Sequence, residues 1–183
     1  MLIDASFSPL PAGSAPQSLV LGAGIGAQIG MVLDLLGVGA GVAPPNIIGS
    51  ASLFGASPGS GVIKPVLLCI TGTAFATSNS ATLNVQLQYA ADTGSSGAYQ
   101  PGTWYTQEET GTIAAANLTA NTQFAQLEFS PAFPFTVRPR FIRLYASIAS
   151  GTNFTAGTIS FAGVLLGRDE LGQKQASRNY TVA

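Results

Sequence analysis

The chain has 183 residues, of which 46% are hydrophobic and only 8% are charged, and its net charge is −1. This length suits one domain with a substantial core, but soluble domains usually carry roughly 25% charged residues. The near-zero net charge excludes a global attraction to nucleic acid or to an anionic membrane, and the apolar content excludes a disordered chain. A neutral polar surface limits solubility, which favours a protein that works inside an assembly.

The first 17 residues contain three prolines and have apolar anchors at Leu2, Ile3 and Phe7. This composition predicts an extended N-terminal arm rather than a helix. The first basic residue is Lys64, so we expect no secretory signal peptide. Residues 18–42 are apolar enough to suggest a membrane helix, but they contain seven glycines, which favour strands and turns.

Within this stretch, Gly22, Gly24 and Ala27 satisfy the spacing of a phosphate-binding G-x-G-x-x-A motif. That motif requires a following helix and an acidic residue about 20 positions later. More glycines and two prolines follow instead, so we interpret the motif as a glycine-rich turn between strands. Residues 37–61 then predict a long Gly/Pro-rich insertion.

Clear strand patterns begin after Lys64. Residues 65–71 form a continuous apolar run, typical of a strand that is buried on both faces. The sequence ATLNVQLQY then alternates strictly, so a strand would place its apolar and polar residues on opposite faces. The predicted apolar face consists of Leu83, Val85, Leu87 and Tyr89, and the polar face of Asn84, Gln86 and Gln88.

Residues 92–102 are rich in turn-forming types and predict a loop, after which Trp104 and Tyr105 begin another strand. A further strand is predicted where Ala125, Leu127 and Phe129 alternate with Gln126 and Glu128. Prolines between residues 131 and 139 indicate a bend.

The stretch FIRLYASIASGTNFTAGTISFAGVLL contains two more alternating runs. In the first, one face is formed by Ile142, Leu144, Ala146 and Ile148. In the second, Thr158 and Ser160 alternate with Ile159, Phe161 and Leu165. Because residues 149–156 are of loop length, we expect these two strands to pair antiparallel.

About eight short strands without a long amphipathic helix predict an all-β fold of antiparallel strands, built as a sandwich or a barrel. This domain is expected to span residues 18–166, preceded by the arm at 1–17 and followed by a polar tail at 167–183. The tail carries a third of the fifteen charges: Arg168, Asp169, Glu170, Lys174 and Arg178.

The chain lacks histidine, so it cannot build a Ser-His-Asp or Cys-His nucleophile or a Cys/His zinc site. Cys69 lies in an apolar run and is interpreted as a buried small hydrophobe. The pairs Glu108-Glu109 and Asp169-Glu170 are sequence neighbours, which a strand points to opposite faces. We therefore predict that the protein is not an enzyme and has no cofactor or metal.

Arg138, Arg140 and Arg143 form the only basic cluster of the sequence. We interpret them as partners of carboxylates such as Glu128, or as groups that cap strand ends, rather than as a phosphate site.

Several segments together resemble one protein family. They are the opening MLIDA, the strand around VLDLLG, the alternating ATLNVQLQ, and the ending RFIRLYASIASGTNFTAGTISFAGVLL. The chain resembles the cement, or capsid decoration, proteins of tailed phages, such as that of a short-tailed Bordetella phage. The resemblance covers most of the chain, but residues 44–60 depart from the family pattern.

The resemblance implies a jelly-roll sandwich that binds the outside of an icosahedral capsid. It implies contacts with the major capsid protein and with itself as a homo-dimer or homo-trimer, but none with nucleic acid or a membrane. It also implies a place on the virion surface after synthesis in the host cytoplasm. The residues expected to contact the shell or other subunits are Leu2, Ile3, Phe7, Arg138, Arg140, Arg143, Tyr145, Arg168 and Tyr180.

An alternative is a carbohydrate-binding β-sandwich module of a phage tail or fibre. In that case Trp104, Tyr105, Tyr99 or Tyr145 would stack on sugar rings. Saturable sugar binding by the isolated chain would distinguish this alternative, since a cement protein should bind only the shell.

Overall fold

A computed structural model describes residues 2–4, 8–10, 12–20, 25–34, 66–95, 98–128 and 139–166, with backbone alone at 2–4 and 164–166. These ranges contain twelve strands and one short 3₁₀ turn, Ala115–Asn117. The strands are β1 Leu2–Asp4, β2 Gln17–Ser18, β3 Ala27–Asp34, β4 Val66–Thr71, β5 Ala76–Thr77, β6 Thr82–Asp92, β7 Pro101–Glu109, β8 Ile113–Ala114, β9 Gln123–Glu128, β10 Phe141–Ile148, β11 Phe154–Ala156 and β12 Thr158–Leu166.

Two five-stranded antiparallel sheets form the fold. Sheet A has the order β1-β12-β4-β9, and β2 also pairs with β12. Sheet B has the order β3-β10-β6-β7, and β8 also pairs with β6. Strands β5 and β11 form a third, two-stranded sheet. The predicted all-β antiparallel sandwich is confirmed. In the described part of the chain, no helix is long and apolar enough to cross a membrane.

The core lies between the sheets and is built from the alternating residues of the long strands. Strand β6 contributes Leu83, Val85, Leu87 and Tyr89, all at most 4% exposed, as its alternation predicts. Strand β10 contributes Ile142, Leu144, Ala146 and Ile148 in the same way. The polar residues of β6 and β10 therefore point away from the core, to the other side of sheet B.

Strand β4 lies in the middle of sheet A, between β12 and β9. Leu67 and Cys69 enter the core, whereas Leu68, on the opposite face, is still only 7% exposed. The prediction of a strand buried on both faces is confirmed for this segment.

The connection between β10 and β12 differs from the prediction. The two strands do not pair, because β10 belongs to sheet B and β12 to sheet A. The intervening residues are not a simple loop, since β11 pairs with β5 at one end of the sandwich. Phe154 of β11 is fully buried and packs edge-on against Phe75, with ring centroids 5.0 Å apart. A crossing between sheets therefore replaces the expected hairpin.

Strand β12 contains a β-bulge that changes which residues face the core. Ile159 pairs with Thr71, but Phe161 pairs with Ile70, so two residue steps on β12 oppose one step on β4. A bulge of this kind reverses the alternation that follows it. Ile159 and Ala162 belong to the core, whereas the ring of Phe161 lies over Gly163, where it would collide with an added Cβ. The prediction that Ile159 and Phe161 share one face is wrong.

Three described parts of the N-terminal segment, at residues 2–4, 10 and 17–18, lie along β12. Strand β1 pairs with the end of β12, and β2 pairs with its beginning. Between them, Leu10 exchanges two backbone hydrogen bonds with Ala162, of 3.0 and 2.9 Å. These parts of the arm thus complete an edge of sheet A within the same chain.

Strand β7 begins at Pro101, inside the predicted 92–102 loop, and it places Trp104 and Tyr105 near its middle. The predicted insertion at 37–61 and the tail at 167–183 lie outside the described residues.

Candidate functional site

The described residues offer no cluster of metal-binding side chains. They contain no group of three or more Cys, Asp or Glu side chains that could hold a metal ion. Burial raises the pKa of the Cys69 thiol to about 12, so it stays protonated and inert at neutral pH. Ala27 opens strand β3 rather than a helix, so the glycine-rich motif lacks the helix that phosphate binding requires.

The first feature of note is an ion cluster around Arg140, at the start of β10. Its guanidinium donates to both carboxylate oxygens of the fully buried Asp34, at 3.1 and 3.2 Å. It also donates to Asp92 Oδ2 at 2.9 Å, and it lies 3.6 Å from the ring centroid of Tyr99. This cluster joins strands β3, β6 and β10 to the 93–100 loop.

The electrostatics of the cluster follow from this geometry. Desolvation raises the pKa of Asp92, but hydrogen bonds from the backbone N–H groups of Gly94 and Gln100, and the charge of Arg140, outweigh it and hold that pKa below 3.8. Desolvation likewise lowers the pKa of Arg140, and its bonds to Asp34 and Asp92 more than restore it. Arg140 is thus a structural ion that is paired with carboxylates, as expected from the sequence. Its partners are Asp34 and Asp92, whereas Glu128 is the example expected from sequence.

The second feature is the outer face of sheet B, the side that points away from the core. We define this outer face by three strands. It consists of Asn84, Gln86 and Gln88 on β6, Trp104, Thr106 and Glu109 on β7, and Arg143, Tyr145 and Ser147 on β10.

Arg143, on β10, contacts two aromatic rings of the outer face. Its guanidinium carbon lies 4.2 Å from the ring centroid of Trp104 and 4.7 Å from that of Tyr145. Tyr145 in turn lies against Gly26, where any side chain would collide with its ring and hydroxyl. Desolvation lowers the pKa of Arg143, an effect that the nearby Tyr145 only partly opposes. Both rings thus make cation–π contacts with the guanidinium.

A chain of hydrogen bonds runs across the outer face from Arg143 to Glu109. Arg143 Nε donates to Gln88 Oε1 at 2.8 Å, and Gln88 Nε2 donates to Gln86 Oε1 at 2.8 Å. Gln86 Nε2 and Asn84 Nδ2 both donate to Glu109 Oε2, at 3.2 and 2.8 Å. The amides are therefore held in fixed orientations, which gives the face a defined donor and acceptor pattern.

The four aromatic residues considered for sugar stacking all have one ring face covered. Trp104 and Tyr145 contact Arg143, and Tyr99 contacts Arg140. Tyr105, although 45% exposed, stacks on Tyr89 with centroids 5.7 Å apart. One face of each of these rings is thus closed to a stacked sugar.

The structure brings together two residues of the predicted contact set and separates a third. Arg143 and Tyr145 are adjacent on the outer face, whereas Arg140 is 6% exposed and committed to carboxylates. Leu2 and Ile3 lie in β1, paired with β12. Four residues of the set lie outside the described residues: Phe7, Arg138, Arg168 and Tyr180.

Sequence reasoning did not include Gln86, Gln88 or Glu109 in the contact set, and it considered Trp104 only for sugar binding. The alternation of ATLNVQLQY already placed the two glutamines on a polar face. The meeting of Trp104 with Arg143 had no comparable signal, because it depends on β6 lying between β7 and β10.

No model of a known protein family matches the chain, and no curated protein matches its sequence.

Proposed function

We propose that this chain is a structural virion protein that binds the outside of an icosahedral phage capsid and holds neighbouring major capsid subunits together. The observation that carries the proposal is the composition of the outer face. Trp, Tyr and Arg are the residue types most enriched at the energetic centres of protein interfaces, and here Trp104, Tyr145 and Arg143 are in contact. The amides around them can be buried against a partner without the desolvation cost of charges.

The proposal extends to a jelly-roll topology. Apart from the β6–β7 hairpin, the successive long strands β3, β4, β6, β9, β10 and β12 alternate between the two sheets where the described chain allows them to be followed. This alternation between the sheets supports a double Greek key, and so does the pairing of the first described strand, β1, with the last, β12. The resemblance to phage cement proteins in the sequence supports the same topology.

A cement protein acts through many copies, so weak contacts repeated over a shell add up through avidity. The low charge of the chain supports this mode of action, because it limits repulsion between neighbouring copies. A homo-dimer or homo-trimer on the outer capsid surface is part of the proposal. The carbohydrate-binding alternative has less support, since another side chain of the protein already covers one face of each of its four candidate rings.

The test is the copy number of the chain in purified virions of the phage that encodes it, measured by gel densitometry against the major capsid protein. We expect a ratio comparable to that of the capsid protein. A handful of copies per particle would indicate a tail or fibre component instead. Complete absence from the particles would overturn the proposal.

A further inference from the structure

Arg143 differs from the other described arginine in one decisive respect. Arg140, three residues earlier on the chain, has two carboxylates within 3.2 Å of its nitrogen atoms. Arg143 has no carboxylate partner among the described residues, and its hydrogen bond there is the one from Nε to the neutral Gln88. Its two terminal nitrogens, with four N–H groups, are therefore left to solvent or to a partner.

The carboxylates nearest to Arg143 in sheet B are engaged by other groups. Asp34, which pairs with Phe141 two residues before Arg143, and Asp92 are both bonded to Arg140. Glu109 stands on β7, two strands away from Arg143. Glu109 also already accepts two hydrogen bonds from side-chain amides.

The surroundings of Arg143 favour a carboxylate over a neutral ligand. The Trp104 and Tyr145 rings cover part of the guanidinium and displace water from it, which strengthens any ion pair that forms there. A carboxylate can take two parallel N–H bonds from the open edge of a guanidinium, a geometry that fixes the orientation of both groups. The nearby glutamines hold Arg143 in place by its third nitrogen.

We propose that Arg143 is the receptor for a carboxylate side chain of the capsid partner, and that the outer face of sheet B is the surface that meets the shell. This inference rests on the proposed function and names the chemistry of its contact. The partner presents an Asp or Glu to Arg143 and a hydrogen-bond donor to the free oxygen of Glu109. Trp104 and Tyr145 form the water-excluding walls of this contact.

The experiment compares two forms of the chain on two forms of the shell. Full-length wild-type and Arg143→Gln chains are co-sedimented with purified shells that lack the protein. The same shells are also used after their surface carboxylates are converted to amides with a carbodiimide and glycinamide. We expect Arg143→Gln to bind native shells about 30-fold more weakly. Amidation should weaken wild type by a similar factor and the variant hardly further.

Two controls separate a binding effect from a folding effect. Gln126→Ala changes an exposed position of β9, in sheet A and outside the outer face of sheet B, without altering charge, and it should bind like wild type. Arg143→Lys keeps the charge but loses the planar fork, so it should bind with intermediate affinity. Unchanged circular dichroism and thermal midpoints must accompany the losses assigned to binding.

The outcomes distinguish this inference from the proposed function. If wild type does not bind native shells, the proposed function fails. If wild type binds, but Arg143→Gln binds equally well, the shell role stands and the carboxylate contact is overturned. Binding to polygalacturonate that depends on Arg143, without binding to shells, would overturn the inference in favour of an anionic polysaccharide.

Discussion

A buried arginine costs several kcal/mol to desolvate unless carboxylates compensate its charge, and Arg140 is compensated by Asp34 and Asp92, which come from the strands on either side of β10. Asp34 comes from β3 on one side and Asp92 from β6 on the other, so the guanidinium fixes the spacing of three strands at one end of sheet B. The two carboxylates differ in exposure, since the Asp34 side chain is fully buried and that of Asp92 is 21% exposed. Their contributions to stability should differ accordingly.

We predict that Asp34→Asn lowers the free energy of unfolding by about 3 kcal/mol, because it leaves the buried Arg140 with half of its compensation. Asp92→Asn serves as the matched control, and its effect should be smaller, since water reaches that side chain. Urea denaturation followed by circular dichroism measures both. Equal losses in the two variants would contradict the assignment of Asp34 as the main counter-ion.

Asp92 should also make stability depend on pH in acid. Its pKa in the folded chain lies below the ordinary value of 3.8, so its carboxylate stabilises the fold above that value. The stabilisation is lost as the pH falls through the folded-state pKa. We predict that wild type and Asp92→Asn differ by a constant free energy of unfolding above about pH 5, and that the difference shrinks toward pH 2. A difference independent of pH over this range would refute the assignment.

At the scale of elements, the edge strand β3 of sheet B is protected by a side-chain amide that forms the hydrogen bonds a neighbouring strand would form. Gln17, on β2 of sheet A, accepts a hydrogen bond from the Gly30 N–H and donates to the Gln28 carbonyl, both at 2.6 Å. The Pro9 carbonyl accepts from the next free N–H of β3, that of Met31, at 2.9 Å. If the backbone N–H and C=O groups of an edge strand are unpaired, a strand of another chain can pair with them, which promotes aggregation.

We predict that Gln17→Ala destabilises the protein by about 1–2 kcal/mol, because two backbone groups of β3 lose their partners. The freed edge should also make the variant aggregate faster on mild heating. Gln126→Ala, at an exposed position of β9, is the control and should stay within about 0.5 kcal/mol of wild type. Chemical denaturation and light scattering measure the two effects; behaviour like that of the control would show that Gln17 does not protect the edge.

Sequence patterns predict some features of these elements correctly, such as the long alternating strands, but not others, such as bulges and contacts between distant residues. Strands β6 and β10 follow from their strict alternation, because a half-buried strand imposes period two on its residues. The alternation predicts the wrong face for Phe161, since a bulge leaves no mark in the alternation of neighbouring residues. The pairing of Arg140 with Asp34 could not be predicted either, because it joins residues 106 positions apart through the order of strands in a sheet.

For the whole molecule, the pairing of β1, Leu10 and β2 with β12 decides how the N-terminal arm should be understood. An arm that served only to reach a neighbouring capsid subunit would contribute little to the free chain. Here Leu10 is 8% exposed, belongs to the core, and is bonded to Ala162 in both directions. The described part of the arm therefore acts as a strand of its own sandwich.

We predict that Leu10→Ala lowers the free energy of unfolding of the isolated chain by about 2–3 kcal/mol, from lost burial and the cavity left behind. Val20→Ala is the matched control, since Val20 is another aliphatic residue near the N-terminus but is 51% exposed, and it should change stability by less than about 0.5 kcal/mol. Urea denaturation of the free chain and co-sedimentation with shells measure stability and binding separately. If Leu10→Ala left stability intact and weakened only shell binding, Leu10 would belong to the capsid contact. A loss of stability in the free chain would instead assign Leu10 to the fold. The outer face of sheet B would then remain the surface proposed to bind the capsid partner.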